Sequence, residues 1–151
     1  MRVKTSSLIT WLLTCLVLLS VVSVLYAADD TRFTLKDGII DDSEYGLQWV
    51  PAPDLIMDHY QAEEYIRNLS LAGGGWRLPT IEELMSLYDK SEPGGAYPEF
   101  HVSGKWVWSS KVVVDNPSTL WLFRFGNGLE GCLLRSNSNS SERVLAVRSR
   151  R

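Results

Sequence analysis

An α+β domain built on an antiparallel sheet is the fold that this sequence predicts, on three observations. Two helix starts, each with a capping box, follow one another in the middle of the chain. The second half alternates apolar and polar residues between turn signals. The two patterns lie in separate blocks, as they do where helices pack against an antiparallel sheet. The expectation is two helices followed by a twisted antiparallel sheet with long loops, preceded by an apolar N-terminal helix that is either signal or anchor. With 151 residues, 45% hydrophobic and 22% charged, the chain has room for one domain with its own core.

The N-terminal segment reads as an address. Arg2 and Lys4 precede an uncharged run from Leu8 to Leu25, and Tyr-Ala-Ala-Asp-Asp follows. Cleavage after Ala27 leaves residues 1–27 as a signal peptide and 28–151 as the domain. The run of 18 residues exceeds the ~7–15 of an ordinary signal core and approaches the ~20 of a membrane span, so an uncleaved anchor through residues 8–25 stays open. Either way the domain is expected to be exported: periplasmic, cell-surface or secreted, or tethered to the inner membrane. Cys15 follows Thr14 and lies too early for a lipoprotein cysteine. Cys132 alone remains beyond the leader, which rules out a disulfide within the domain, and it is expected as a small buried hydrophobe in a strand. The domain carries 13 basic against 18 acidic side chains, net −5, which argues against a nucleic-acid partner. Arg143, Arg148, Arg150 and Arg151 leave a basic C-terminal patch open.

Beyond the leader, Phe33–Leu35 and Ile39–Ile40 flank the turn signal Asp37-Gly38 and predict a strand or hairpin. Gly46-Leu-Gln-Trp-Val50 alternates and stops before Pro51 and Pro53. Asp58 with Gln61 is a capping box, and Ala62, Tyr65, Ile66 and Leu69 give the stripe of an amphipathic helix that Gly73-Gly74-Gly75 ends. Thr80 with Glu83 is the second box; Pro79 holds Leu78 extended before it, and Ile81, Leu84, Leu87 and Tyr88 form an apolar face. Asp89 to Lys105 is a loop with Tyr97 and Phe100 pinned down. Strands are expected at Lys105–Ser109, Leu120–Phe125, Leu129–Arg135 and Val144–Arg148, with a turn at Asp115–Ser118. Placing Asn127-Gly128 as a two-residue turn pairs Phe123 with Cys132 and Trp121 with Leu134, both faces of that hairpin being partly covered.

The segments Asp42…Gly46-Leu-Gln-Trp49, Gly75-Trp76-Arg77-Leu78-Pro79-Thr80…Glu83, Trp108-Ser109-Ser110, Trp121…Phe125…Gly128 and Val147-Arg148 occur in that order. From Phe33 to Arg148 the chain resembles the bacterial secreted domain family typified by the C-terminal domain of the Legionella collagen-like adhesin. The resemblance implies a C-type-lectin-like fold, distantly related to the formylglycine-generating enzymes, and members of mostly unassigned function, some acting in adhesion and glycosaminoglycan binding. Two cysteines common in the family fall on Ile66 and Ala146 here, so an apolar contact is expected in place of a disulfide. The adhesin's collagen-like repeats are absent from this sequence, and trimeric, multivalent adhesion does not carry over.

Six tryptophans and six tyrosines either fill a core or line a sugar or protein contact surface. Trp106, Trp108 and Trp121 are expected in the core, with Trp106 and Trp108 on one face. Arg77 is expected as a structural hydrogen-bond donor, and Glu82 and Glu83 as capping and solvated carboxylates. No histidine is placed as base for Ser109 or Ser110, since His59 and His101 lie at unrelated positions. Asp115-Asn116-Pro117 lacks the companion carboxylates of a calcium lectin, and one cysteine cannot supply the pair that formylglycine generation needs. No catalytic residue, metal or cofactor is expected. The candidate ligand contacts are loop residues, Asp115, Asn116, Arg135, Asn137 and Asn139, with the loops 111–119 and 135–142 as the surface to examine. The expected function is an exported, non-enzymatic binding or adhesion module for a glycan, sulfated polysaccharide or protein. A structural subunit of an envelope assembly held by the apolar N-terminal helix, and an enzyme of unrecognised type, are the alternatives.

Overall fold

The chain folds mainly as β-structure, and the two-block α+β expectation, with its lectin-like arrangement, is corrected. The computed structural model describes residues 31–137 and 141–150; the leader, its predicted helix and its cleavage point lie outside them. Three strands precede the helices: β1 (Phe33–Lys36), β2 (Ile39–Asp42) and β3 (Leu47–Val50). Two short helices follow, α1 (His59–Asn68) and α2 (Ile81–Ser86), and then β4 (Trp106–Val113), β5 (Asn116–Arg124), β6 (Leu129–Leu134) and β7 (Ala146–Ser149). These make two antiparallel sheets instead of one, ordered β1-β2-β3-β7 and β4-β5-β6. The last strand returns to pair with β3, so early and late segments share a sheet that block order cannot reveal.

Local signals hold well. Asp37 and Gly38 both take positive φ, so the β1–β2 turn is the tight hairpin turn, with Lys36 opposite Ile39. Both capping boxes form reciprocally, Asp58 with Gln61 and Thr80 with Glu83. Ala62 and Ile66 bury the inner face of α1, while Ile81, Leu84 and Leu87 are buried at α2. Phe100 is buried and Tyr97 packs beside it on the core, as the pinned loop predicts.

The β5–β6 hairpin differs from its predicted register by two residues. Trp121 faces Cys132 and Phe123 faces Glu130, and the connection is the four residues 125–128. Gly128 takes positive φ but Asn127 does not, and the Gly128 amide bonds the Arg124 carbonyl at 2.9 Å. Phe125 leaves the ladder because its amide donates to the Lys105 carbonyl at 3.0 Å and its ring is buried. The β4–β5 turn, by contrast, shortens to Val114-Asp115, and Asn116 to Ser118 join a strand. Cys132 is exposed, not buried, because β6 is an edge strand.

Two apolar clusters form the interior. Ile40, Trp49 and Val147 sit side by side across the four-stranded sheet and share one cluster with Val107 and Phe123. Trp108, Leu120 and Leu122 belong to the other, with Val50, Ile66 and Ala146. Trp106 and Trp121 are part-buried, one against each cluster, so the sheet β4-β5-β6 is covered on both faces. Ile66 and Ala146 lie in one buried cluster. Arg143 pairs with Asp54, Arg148 is buried and Arg150 approaches Asp41, so the described arginines of the C-terminus do not make a basic patch.

Candidate functional site

The segment Trp76–Thr80 is held between the two sheets' edges by bonds to both. Arg77 and Val147 exchange backbone hydrogen bonds at 3.0 and 2.9 Å, which adds one bridge to the edge of β7. The Ser110 amide donates to the Pro79 carbonyl at 2.8 Å and ties the segment to β4. Trp76 Nε1 donates to the Leu71 carbonyl at 2.9 Å, and the Arg148 guanidinium stacks 4.2 Å from its ring centroid. That guanidinium also donates to the carbonyls of Ala72 and Gly74 and to Gln48 Oε1, which fixes the glycine turn onto the sheet.

Arg77 makes a two-pronged pair with Glu83, at 2.6 and 2.8 Å, and donates to the Leu78 carbonyl. Glu83 thus serves two donors, since it also accepts the Thr80 amide at 2.8 Å. Burial pushes the Glu83 carboxyl up, but the bonds from Arg77 and the Thr80 amide outweigh it and hold the carboxyl below its ordinary range. The same bond to Glu83 pushes the Arg77 guanidinium further up, against the opposing effect of burial.

Alongside runs a groove of about 620 Å³ lined by Glu63, Ile66, Arg67, Trp76, Arg77, Leu78, Thr80 and Ser110. Trp76 shows only an edge there, being 8% exposed and capped by Arg148. Arg67, in the last turn of α1, is exposed and makes no ion pair among the described residues. Ser110 is exposed beside it in the lining, and the Arg77 side chain is 46% exposed. The groove therefore offers donors from two guanidinium groups and a hydroxyl, with Glu63 at hand on the same helix. Glu63 lies 3.7 Å from both Arg135 Nη1 and His59 Nδ1.

The sequence-predicted ligand contacts fall elsewhere. Asp115 is in the β4–β5 turn; Asn116 opens β5 and caps the Ser118 amide at 3.2 Å. Arg135 lies against that strand, its amide bonding Ser118 and its Nε donating to the Pro117 carbonyl at 3.1 Å. The structure thus brings Asn116 and Arg135 to one end of the β5–β6 hairpin, with Arg135 in a packing role. Asn137 follows, its amide bonded to the Leu134 carbonyl. Asn139 lies outside the described residues, as does part of its loop. Of the two serines, Ser109 is buried and donates to the Trp121 carbonyl at 2.7 Å.

Sequence reasoning missed Arg67 and His59. Arg67 carries one usable signal, its place next to buried Ile66 on the rim of an amphipathic stripe. His59 carries none: it is 1% exposed, with neither ring nitrogen hydrogen-bonded among the described residues, and its ring meets Trp108 edge-on at 5.4 Å. Burial pushes the imidazole below its usual pKa, and Arg135 adds to this against Glu63 and Asp58. Among the described residues, no cluster of three or more His, Cys, Asp or Glu side chains is placed to hold a metal.

The family model described as the Lcl C-terminal domain matches residues 38–148. No curated protein matches the chain.

Proposed function

The chain belongs to the Lcl C-terminal domain family, and from that premise we propose that it is an exported, non-enzymatic binding module of the adhesion type. Its ligand is a sulfated polysaccharide, held in the groove beside α1. The observation that carries this reading is Arg67, a cation with no ion pair among the described residues, facing a groove that also presents the Ser110 hydroxyl and the part-exposed guanidinium of Arg77, while the Glu63 carboxylate in the same lining lies by Arg135 and His59. A sulfate presents only acceptor oxygens and negative charge, and guanidinium groups bond such oxyanions in pairs. Trp76 is too well covered to stack on a sugar, so charge and hydrogen bonds, not aromatic contact, supply the recognition.

The test is retention of the full chain on an immobilised sulfated glycosaminoglycan, with the same polysaccharide after desulfation as control. The sulfated form retains the protein at low ionic strength and releases it as salt screens the contact. Arg67→Glu weakens binding by about tenfold or more, roughly 1.4 kcal/mol. Equal behaviour on the two polysaccharides, or full retention of Arg67→Glu, overturns the assignment.

A further inference from the structure

We propose that a second, smaller cavity, over the face of β4-β5-β6 that carries Trp106, binds a small organic ammonium: a primary amine on a short apolar body. The cavity holds about 250 Å³ and is lined by Trp106, Leu122, Gly131, Cys132, Leu133 and Glu142. It is separate in its lining from the groove of Arg67 and Ser110, so either site can fail its test without the other.

The sheet builds this pocket through its alternation. Leu122 lies opposite Gly131, and Leu120 opposite Leu133, so these four positions share one face. Trp106 lies two residues from Trp108, which pairs with Leu122, and so projects to the same side. Its indole extends across to β6: a methyl group added at Gly131 would stand 2.8 Å from Trp106 Cη2. Gly131 is therefore the space the indole needs. Cys132, one residue on, turns its side chain to the other face with Trp121 and gives this cavity only backbone.

Glu142 supplies the polar group. Its chain is pinned at the edge of β4, where Arg143 bonds the Trp106 carbonyl at 2.8 Å and the Trp108 amide at 3.1 Å. The Glu142 carbonyl accepts the Met57 amide at 3.3 Å. The residue is 7% exposed, and its side-chain Oε2 has no hydrogen-bond partner among the described residues. Neither nearby cation supplies one. Arg143 turns to Asp54 at 3.1 Å, and Arg124 stands 5.8 Å from the Trp106 ring centroid without an ion pair to Glu142.

A carboxylate oxygen removed from water and left without a donor calls for a charged one. The Trp106 indole lines the same cavity, and an indole ring favours a cation over a neutral group. The rest of the wall is aliphatic side chain and backbone, which suits a hydrocarbon body. A sugar fits poorly here, because a single carboxylate would leave most of its hydroxyls buried and unpaired. At about 30 Å³ per water the cavity equals roughly eight waters, enough for a four- or five-carbon amine.

The probe is 1-butylamine hydrochloride, with 1-butanol as the neutral isostere and ammonium chloride as the ionic control, titrated into the ¹⁵N-labelled full chain. Butylammonium is expected to shift the amides of Gly131 and Leu133 and the Trp106 indole saturably, with at least tenfold higher affinity than butanol. Glu142→Gln removes that preference. Should Glu142→Gln fail to fold, Leu133→Phe fills the cavity from the edge strand and must abolish the shifts. Equal binding of amine and alcohol, amine binding that survives Glu142→Gln or the filled cavity, or no saturable shift at these residues overturns the proposal and leaves Oε2 to a buried water.

Discussion

The amide of Ser110 donates to the carbonyl of Pro79 at 2.8 Å. This bond ties the Trp-Arg-Leu-Pro-Thr turn to the Trp-Ser-Ser strand, thirty-one residues of sequence apart by their numbers. Its neighbour Ser109 bonds onward to the Trp121 carbonyl, and Arg77 bonds back to β7. The segments that carry the family resemblance therefore touch one another. Their spacing in sequence records a joint between the two sheets, which is why most of these residues have a structural task.

Glu83 is the keystone of that joint, and its ionisation carries a pH dependence. The folded state lowers its pKa, so the stabilisation is complete above the ordinary carboxylate pKa of about 4.3 and is lost as pH falls below it. Glu83→Gln keeps the capping geometry but weakens the Arg77 pair; Glu83→Ala loses that pair and the carboxylate's half of the capping box, at a cost of about 1–2 kcal/mol. Urea unfolding at pH 7 and pH 3.5 checks this: the gap between native and Glu83→Ala narrows at the lower pH. A constant gap rules the mechanism out.

His59 gives a second window, nearer neutrality. Its folded pKa lies below the unfolded ~6.5, so the unfolded chain takes up the proton first and stability declines as pH drops from about 6.5. Glu63, Arg135 and Asp58 face the ring, and both nitrogens are unpaired. His59→Phe keeps a ring against Trp108 and removes the titration. Thermal unfolding followed from pH 7.5 to 5 should show the native midpoint falling more steeply than the variant's; parallel curves would refute the assignment.

Two glycines of similar backbone separate steric from conformational cost. Gly95 (φ +78°) packs so that an added methyl would collide with the Phe125 carbonyl oxygen and stand 2.6 Å from Tyr88 Cε2. At Gly46 (φ +63°) the added methyl would meet nothing within 4 Å. Gly46→Ala is expected to cost about 1 kcal/mol, the ordinary penalty for a left-handed alanine. Gly95→Ala is expected to cost upwards of about 3 kcal/mol, since backbone must move. Denaturant midpoints for the pair decide the point, and equal losses would contradict the packing.

What the sequence determined by itself was the local structure. Asp58 with Gln61 and Thr80 with Glu83 declare their capping boxes within four residues, and Asp37-Gly38 declares its turn within two. Such signals are legible because every atom they need is nearby in the chain. The family could be read as well, from short motifs in order along the chain, and its model matches residues 38–148. Tertiary structure decided the rest. The Asn127-Gly128 turn lost to a four-residue connection because Phe125 finds the Lys105 carbonyl and a buried site. Cys132 is exposed because nothing pairs beyond β6 among the described strands. The fold became two sheets instead of one because β7 returns to β3, where Arg148 meets Gln48 across 100 residues of chain. Arg67 and Glu142 became candidates the same way, each defined by which distant groups do or do not reach it. Hydrogen-bond partners and burial at that separation depend on the whole packed chain, and no window of sequence contains them.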